Sequence, residues 1–331
     1  MQGSLMVDIE HLWLTAEDRK FLKHPEIGGV ILFARNTEHP QQVAELCRAI
    51  KAIRPDLILA IDQEGGRVQR LKQNTLKLPA MGMLRDHPNA NQLAHYCGWL
   101  MATEVLATGL DISFAPVMDI NYGHNQVIGL RAFADNATQV IELAAAFIQG
   151  MQQAGMAATG KHFPGHGWVT ADSHTAIPND QRSLEEISKT DLQPFVQLCP
   201  QLAGIMPAHI IYNQIDTNPA GFSSFWLQTI LRTELGYQGI IFSDDLSMKG
   251  AHAAGDMQAR TQAAFTAGCD MALVCNDRAG AEQALMAVQQ MKIIPSSKLH
   301  KMLSKVTPST NYKANPYWLE AVNALQQAQL L

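Results

Sequence analysis

The chain of 331 residues is 47% hydrophobic and 17% charged, enough apolar material for a sizeable core and far from the composition of a disordered segment. Its formal net charge of −5 leaves no electrostatic footprint for nucleic acid or an anionic membrane. The cysteines Cys47, Cys97, Cys199, Cys269 and Cys275 are odd in number and show no Cys-x-x-Cys spacing, which suggests neither a disulfide framework nor a structural zinc site. From Met1 to Glu10 no basic stretch precedes an apolar one, and no apolar run approaches the length of a membrane span. These features predict a soluble protein of a reducing compartment, the cytoplasm.

Taken in order, the chain repeats one pattern: a short apolar run ending in polar residues, then an amphipathic segment, usually closed by glycine. The runs are Leu5-Met6-Val7, Gly29 to Phe33, Leu57 to Ile61, Ile112 to Ala115, Met156 to Thr159, Gly204-Ile205-Met206, Gly239 to Phe242 and Met271 to Val274. Between them, Val43, Leu46, Cys47 and Ile50, and likewise Val140, Leu143, Phe147 and Met151, have the spacing of a helix stripe facing a core. Gly109, Gly155, Gly236 and Gly268 each sit just past a helix and before a strand, where a C-terminal cap favours a residue tolerating φ > 0. Near-continuous hydrophobic strands alternating with helices imply a parallel sheet covered on both faces. Eight such units predict an α/β protein built as a (β/α)₈ TIM barrel; a doubly wound open sheet is the alternative. No linker rich in Pro, Gly or Ser divides the chain, so residues 1–331 are read as one catalytic domain. Its tail from about Ile293 carries no ninth strand signal and is expected to pack on the barrel as extra helix, with Pro308 to Pro316 irregular.

A barrel gathers its functional groups where strands end, and here those ends are polar. The third strand runs into Asp62-Gln63-Glu64-Gly65-Gly66-Arg67-Val68-Gln69-Arg70, and the fourth into Asp119 and a long loop to Arg131. The fifth ends in Lys161-His162, continuing through Phe163-Pro164-Gly165-His166-Gly167 to Asp172-Ser173-His174. The sixth ends in His209 and the seventh in Ser243-Asp244-Asp245. Each has a structural reading of its own. Asp62 could cap a helix, Glu64 with Arg67 could be a surface pair worth little, His209 could be a satisfied core histidine, and Asp244 or Asp245 could be an N-cap. Five polar strand ends converging on one barrel mouth favour an active site for the set. Asp244, ending its strand, is expected to face the barrel axis, while Asp245 begins the turn.

These segments, Ile61 to Arg70, Lys161 to Gly167, Asp172-Ser173-His174 and Phe242 to Met248, resemble the signatures of family-3 glycoside hydrolases. More narrowly, they resemble the single-domain bacterial β-N-acetylglucosaminidases of cell-wall recycling, over roughly Leu5 to Asn276. The resemblance implies a cytoplasmic enzyme that removes terminal N-acetylglucosamine from muropeptides carrying 1,6-anhydro-N-acetylmuramic acid, with retention of configuration. By motif match Asp244 would be the nucleophile and His174 the acid/base, paired with Asp172. Asp62, Arg70, Arg131, Lys161 and His162 would bind the sugar. The implied substrate is a small muropeptide or N-acetylglucosaminide, with no cofactor, metal, nucleic acid or membrane partner, and the enzyme is expected to be a monomer. One position departs: Leu130 precedes Arg131 where the family commonly has Asp, leaving open what supports Arg131.

The chemistry suits these residues without the family name. Glycoside cleavage passes through an oxocarbenium-like transition state and needs a proton for the departing oxygen and, in a retaining enzyme, a carboxylate on the opposite face of the sugar. In an extended loop, Asp-x-His spacing places Asp172 and His174 on one side of the chain. An imidazole with an ordinary pKa of about 6.5 can donate in one step and accept in the next, with Asp172 orienting it and stabilising its cation. Three other functions remain in view. A metal-dependent barrel hydrolase would use His162, His166, His174, His209 and Asp172 as ligands, but Lys161 would set a positive charge beside the metal. A sugar-binding barrel would have no need of a group matched to protonate a leaving oxygen. A glycoside phosphorylase or β-glucosidase could use the same scaffold.

Overall fold

Eight parallel strands alternate with helices in the computed structural model, which describes residues 3–170, 178–306 and 311–331. They are β1 (Leu5–Val7), β2 (Ile27–Leu32), β3 (Ile58–Ile61), β4 (Ile112–Ser113), β5 (Thr159–Phe163), β6 (Gly204–Pro207), β7 (Ile240–Asp245) and β8 (Met271–Val274). Their order around the sheet is β4-β3-β2-β1-β8-β7-β6-β5. The seam between β4 and β5 is joined just past β4, where Thr159 N donates to Ala115 O (2.8 Å), Lys161 N to Pro116 O (3.1 Å) and Met118 N to Lys161 O (2.7 Å). The expected (β/α)₈ barrel is therefore the fold.

The period-2 alternation of strand side chains divides the apolar residues into two cores. Met6, Ile31, Ile58, Ala60, Phe242 and Leu273 fill the barrel, while Leu5, Val7, Leu59, Ile61, Ile241 and Val274 point out to the helices. Continued past the strand ends, the same parity turns Asp62, Glu64 and Asp244 inward and Asp245 outward. The covering helices are α1 (Ala16–Phe21), α2 (Pro40–Ile53), α3 (Ala90–Ala107), α4 (Ala137–Gln153), α5 (Leu184–Lys189), α6 (Gln193–Leu198), α7 (Met257–Ala267) and α8 (Arg278–Met291). A π-helical stretch, Phe225–Glu234, follows β6. The stripes expected on α2 and α4 are buried, and Gly109, Gly155, Gly236 and Gly268 all have positive φ.

One strand lies further along than its apolar run suggested. The run Met156 to Thr159 is the approach to β5, and the ladder itself is Thr159–Phe163, with Lys161 opposite Met206. Pairing is made by backbone groups, so a lysine can occupy the ladder when carboxylates meet its side chain. The tail closes the lower end: Leu299 and Met302 join the barrel's interior cluster. Beyond it α9 (Pro316–Gln327) packs on α3, with the Tyr317 ring 4.8 Å from Trp99 and 5.6 Å from Tyr96. Of the stretch expected to be irregular, residues 307–310 lie outside the described residues, while Tyr312–Ala314 form a 3-10 turn and Pro316 opens α9. The five cysteines are buried and unpaired, and no helix among the described residues is long and apolar enough to cross a membrane.

Candidate active site

The chain leaving β3 carries the first group. A turn with Gly65 and Gly66 at φ 110° and 56°, a conformation costly for other residues, returns the backbone so that Glu64 N donates to Val68 O (2.8 Å). Glu64 is thereby buried against two cations. Arg131 grips it with Nε to Oε2 (2.8 Å) and Nη2 to Oε1 (2.9 Å), and Lys161 Nζ stands 2.6 Å from Oε1. Lys161 Nζ also donates to Asp62 Oδ1 (2.9 Å), and Arg70 Nη2 approaches Asp62 Oδ2 at 3.6 Å. Burial would raise the Glu64 pKa, but the charges of Arg131 and Lys161 overcome it and hold the carboxyl far below its usual range. Burial likewise works against the Lys161 ammonium, and Asp62 and Glu64 more than offset it, so its pKa is raised. The partner of Glu64 is therefore not its sequence neighbour Arg67, and the support of Arg131 comes from Glu64 and from Val127 O (3.2 Å). Leu130 turns outward, 55% exposed.

Asp119, buried past β4, organises the second group. One oxygen accepts from the backbone N–H of His162 (3.2 Å) and of His166 (2.7 Å), and the other meets His162 Nδ1 at 2.7 Å. Burial raises and the facing His162 lowers its pKa, and the net result is a depressed carboxylate. With Nδ1 engaged, Nε2 of His162 has no hydrogen-bond partner among the described residues. His166 is held down to about 4 by burial and by the neighbouring His162, so near neutrality it is an uncharged ring, and Asn125 Nδ2 ties its carbonyl at 2.7 Å.

The third group ends β7. Asp244 Oδ1 accepts from Asp245 N (2.8 Å). Asp245 is clamped as a turn: Oδ1 accepts from Ser247 N (2.9 Å) and Cys275 N (3.0 Å), and Oδ2 from Ser247 Oγ (2.6 Å). Burial raises the Asp244 pKa, but the surrounding His209 and His162 rings, the Asp245 N–H and the more distant Lys161 together prevail and lower it. For Asp245 burial prevails and carries the pKa up to about 6. Adjacent carboxyls are thus driven in opposite directions, Asp244 toward the anion and Asp245 toward the neutral acid.

A cavity of about 600 Å³ opens at this end of the barrel and is lined by Asp62, Arg70, Arg131, Lys161, His162 and Asp244, a size suited to a small ligand. Six of the eight expected site residues thus meet. Asp172 and His174 lie outside the described residues. Ile31, Phe114, Met206 and Leu273 give the cavity an apolar floor, and Phe33, Met248, Lys249 and His252 contribute to its walls. Glu64 and Asp119 stood out in sequence as polar strand ends, but their partners did not. The floor residues carried only the alternation of the strands as a signal. Among the described residues no three His, Cys, Asp or Glu side chains gather as a metal-ligand set.

A barrel whose mouth gathers an unpaired carboxylate and an ion-paired lining has the layout of a small-ligand enzyme site, and comparison with known proteins supplies the family. The Glycosyl hydrolase family 3 N terminal domain matches residues 5–308, so the chain belongs to glycoside hydrolase family 3 and is a glycoside hydrolase. It is 62% identical to a β-hexosaminidase of Pseudomonas aeruginosa over 331 residues, covering 100% of both chains. It is 53% identical to a β-hexosaminidase of Tolumonas auensis over 306 residues, 91% of this chain and 90% of the other. Native NagZ from Neisseria gonorrhoeae superposes with a TM-score of 0.89 at 40% identity, covering 97% of this chain and 96% of that one. The same protein in complex with N-trifluoroacetyl-D-glucosamine gives 0.90 at 39%, covering 98% of each.

Proposed function

We propose that this chain is a retaining exo-β-N-acetylglucosaminidase working by double displacement. The observation that carries the reading is Asp244: inward on β7, lining the cavity, held as an anion, with Oδ1 occupied by Asp245 N and Oδ2 without a partner among the described residues. In the first step Oδ2 attacks the anomeric carbon as the glycosidic C–O bond breaks, and His174 gives its proton to the departing oxygen. In the second, water attacks the glycosyl-enzyme, His174 takes the proton, and Asp244 is released. Asp172 orients the imidazole. Lys161, Arg70, Asp62, Arg131 and His162 hold the sugar through hydrogen bonds fixed in advance by their ion pairs.

The sugar is inferred from the β-hexosaminidase relatives and from the aminosugar in the gonococcal complex. The finer substrate, a muropeptide carrying 1,6-anhydro-N-acetylmuramic acid processed by a cytoplasmic monomer in cell-wall recycling, is supported by the four-motif likeness to that branch of the family. The test uses an N-acetylglucosaminyl trap fluorinated at C5, which slows deglycosylation, followed by peptide mapping. Label on Asp244 is expected, and label on Glu64 or Asp245 would overturn the assignment. Turnover of nitrophenyl β-glycosides with and without phosphate then distinguishes free N-acetylglucosamine, the expected product, from a sugar 1-phosphate.

A further inference from the structure

His209 lies two residues past β6, fully buried, and has no part in the proton transfers just described. Its Nε2 is 3.1 Å from the carbonyl oxygen of Asp245. A carbonyl only accepts, so Nε2 carries the proton. Nδ1 is buried and without a hydrogen-bond partner among the described residues, and a protonated Nδ1 there would be a desolvated, unpaired donor. On one side is the Phe222 ring, with centroids 5.4 Å apart. On another is Gly221, where even an added Cβ would come no closer than 3.7 Å to Nδ1. The ring's backbone is held by Ala208 N to Phe163 O (2.8 Å) and Ala220 N to Ile210 O (2.9 Å). It is therefore a fixed, neutral donor aimed at one peptide oxygen.

That oxygen belongs to the residue whose N–H fixes Asp244. Asp245 gives its N–H to Asp244 Oδ1, its carboxylate to Ser247 and Cys275, and its carbonyl to His209. The first bond leaves Oδ2 of Asp244 for the sugar. The last ties the turn across the barrel mouth to β6, where no other hydrogen bond from the β6 side reaches this turn among the described residues. We infer that His209 is a positioning residue: its Nε2–H bond to the Asp245 carbonyl fixes the Asp244–Asp245 turn and with it the line of attack of the nucleophile. The inference rests on Asp244 being that nucleophile. A core histidine needs only to fill space; this one directs a hydrogen bond at the turn beside the reactive oxygen, and leaves its second nitrogen unpaired to do so.

Three variants separate positioning from packing. His209→Gln places an amide N–H where Nε2 stood. His209→Asn places one near Nδ1 and cannot reach the carbonyl. His209→Met fills the volume with no donor. Melting temperatures and steady-state rates on a nitrophenyl N-acetylglucosaminide are measured together, with the rate of labelling by the C5-fluoro trap. Loss of orientation should lower kcat by roughly 10²-fold, the cost of about 1 Å of misplacement, in the Asn and Met variants. KM should move less than about threefold, and Gln should restore kcat to within about fivefold of wild type. Trap labelling should slow in parallel. If Met keeps wild-type kcat, or if Gln and Asn fall equally while both remain folded, the positioning role is wrong. If Met does not fold, the Gln-to-Asn ratio decides alone. Failure of the underlying nucleophile assignment shows separately, as wild-type label on another residue.

Discussion

Two pairs of carboxyl groups sit on opposite sides of the barrel, Asp62 and Glu64 after β3 and Asp244 and Asp245 at the end of β7. Both pairs lie at the ends of the same kind of buried strand, yet their charges are balanced in different ways. Asp62 and Glu64 share Lys161, Arg70 and Arg131, so each carboxylate is ion-paired and Glu64 is locked as an anion. Asp244 and Asp245 have no ion pair with Lys or Arg among the described residues; one is kept ionised by its polar surroundings, the Asp245 N–H and a more distant Lys161 among them, and the other is pushed up by burial. Matched charges make a rigid lining for binding. An anion balanced only at a distance retains reactivity, because little must be given up when its free oxygen meets an electrophilic carbon.

The contrast can be broken most severely at its reactive end. Asp244→Asn is expected to lower kcat by on the order of 10⁴-fold or more, the scale on which a missing nucleophile acts, with unchanged melting temperature. A variant within tenfold of wild type would return Asp244 to a binding role. Next in size is His174→Ala. General acid catalysis contributes roughly 10² to 10⁴-fold, so single-turnover glycosylation of a disaccharide should fall by that factor while a dinitrophenyl glycoside is nearly spared and shows a burst. Asp172→Asn should act the same way more mildly. Equal losses on both substrates would leave His174 with positioning only.

The matched side should register in stability more than in chemistry. Glu64→Gln strands Arg131 and Lys161 in a buried site, a loss of about 3–5 kcal/mol for a broken buried pair, read by urea unfolding at pH 7. The sign of the pH dependence follows from the depressed pKa of Glu64. Its stabilisation is complete above its unfolded value of about 4.3 and is lost as pH falls through the folded value. Wild type should therefore lose stability in acid more steeply than the Gln variant, and parallel curves would show that Glu64 is not the source. Asp245→Asn is the smallest change, since an amide oxygen can still accept from Ser247 N and Cys275 N: a folded enzyme with turnover reduced less than about tenfold, within reach of one or two weakened hydrogen bonds. The Asp245 pKa is raised to about 6, so its contribution is complete below its unfolded value of about 3.9 and declines as pH rises through the folded one. Because the amide of Asp245→Asn does not titrate, that variant should show a flatter stability curve across this window in thermal melts. A slope equal to that of wild type would mean that another group causes the decline.

How much of this was legible in the chain depends on the range of the interaction responsible. Alternating apolar runs and helical stripes are local, and they marked the barrel, the inward Asp244 and the turn at Asp245 from spacing alone. The positive φ of Gly109, Gly155, Gly236 and Gly268 is local too. Strand β5 was displaced because hydrophobicity marks burial, whereas the ladder depends on which backbone groups find partners. That let Lys161 enter the strand once Asp62, 99 positions earlier, was there to receive it. The partner of Glu64 could not be read at all, since Arg67 is near in sequence and Arg131, 67 positions on, is near only in space. Asp119 and His209 were visible as polar ends of strands and nothing more. Residue types and their spacing along the chain determined the fold and marked the polar strand ends that line the cavity; which of those groups are ion-paired, and which carboxylate is left without a Lys or Arg partner among the described residues, was decided by tertiary packing, because charge pairing and desolvation depend on distances through space that no spacing along the chain contains.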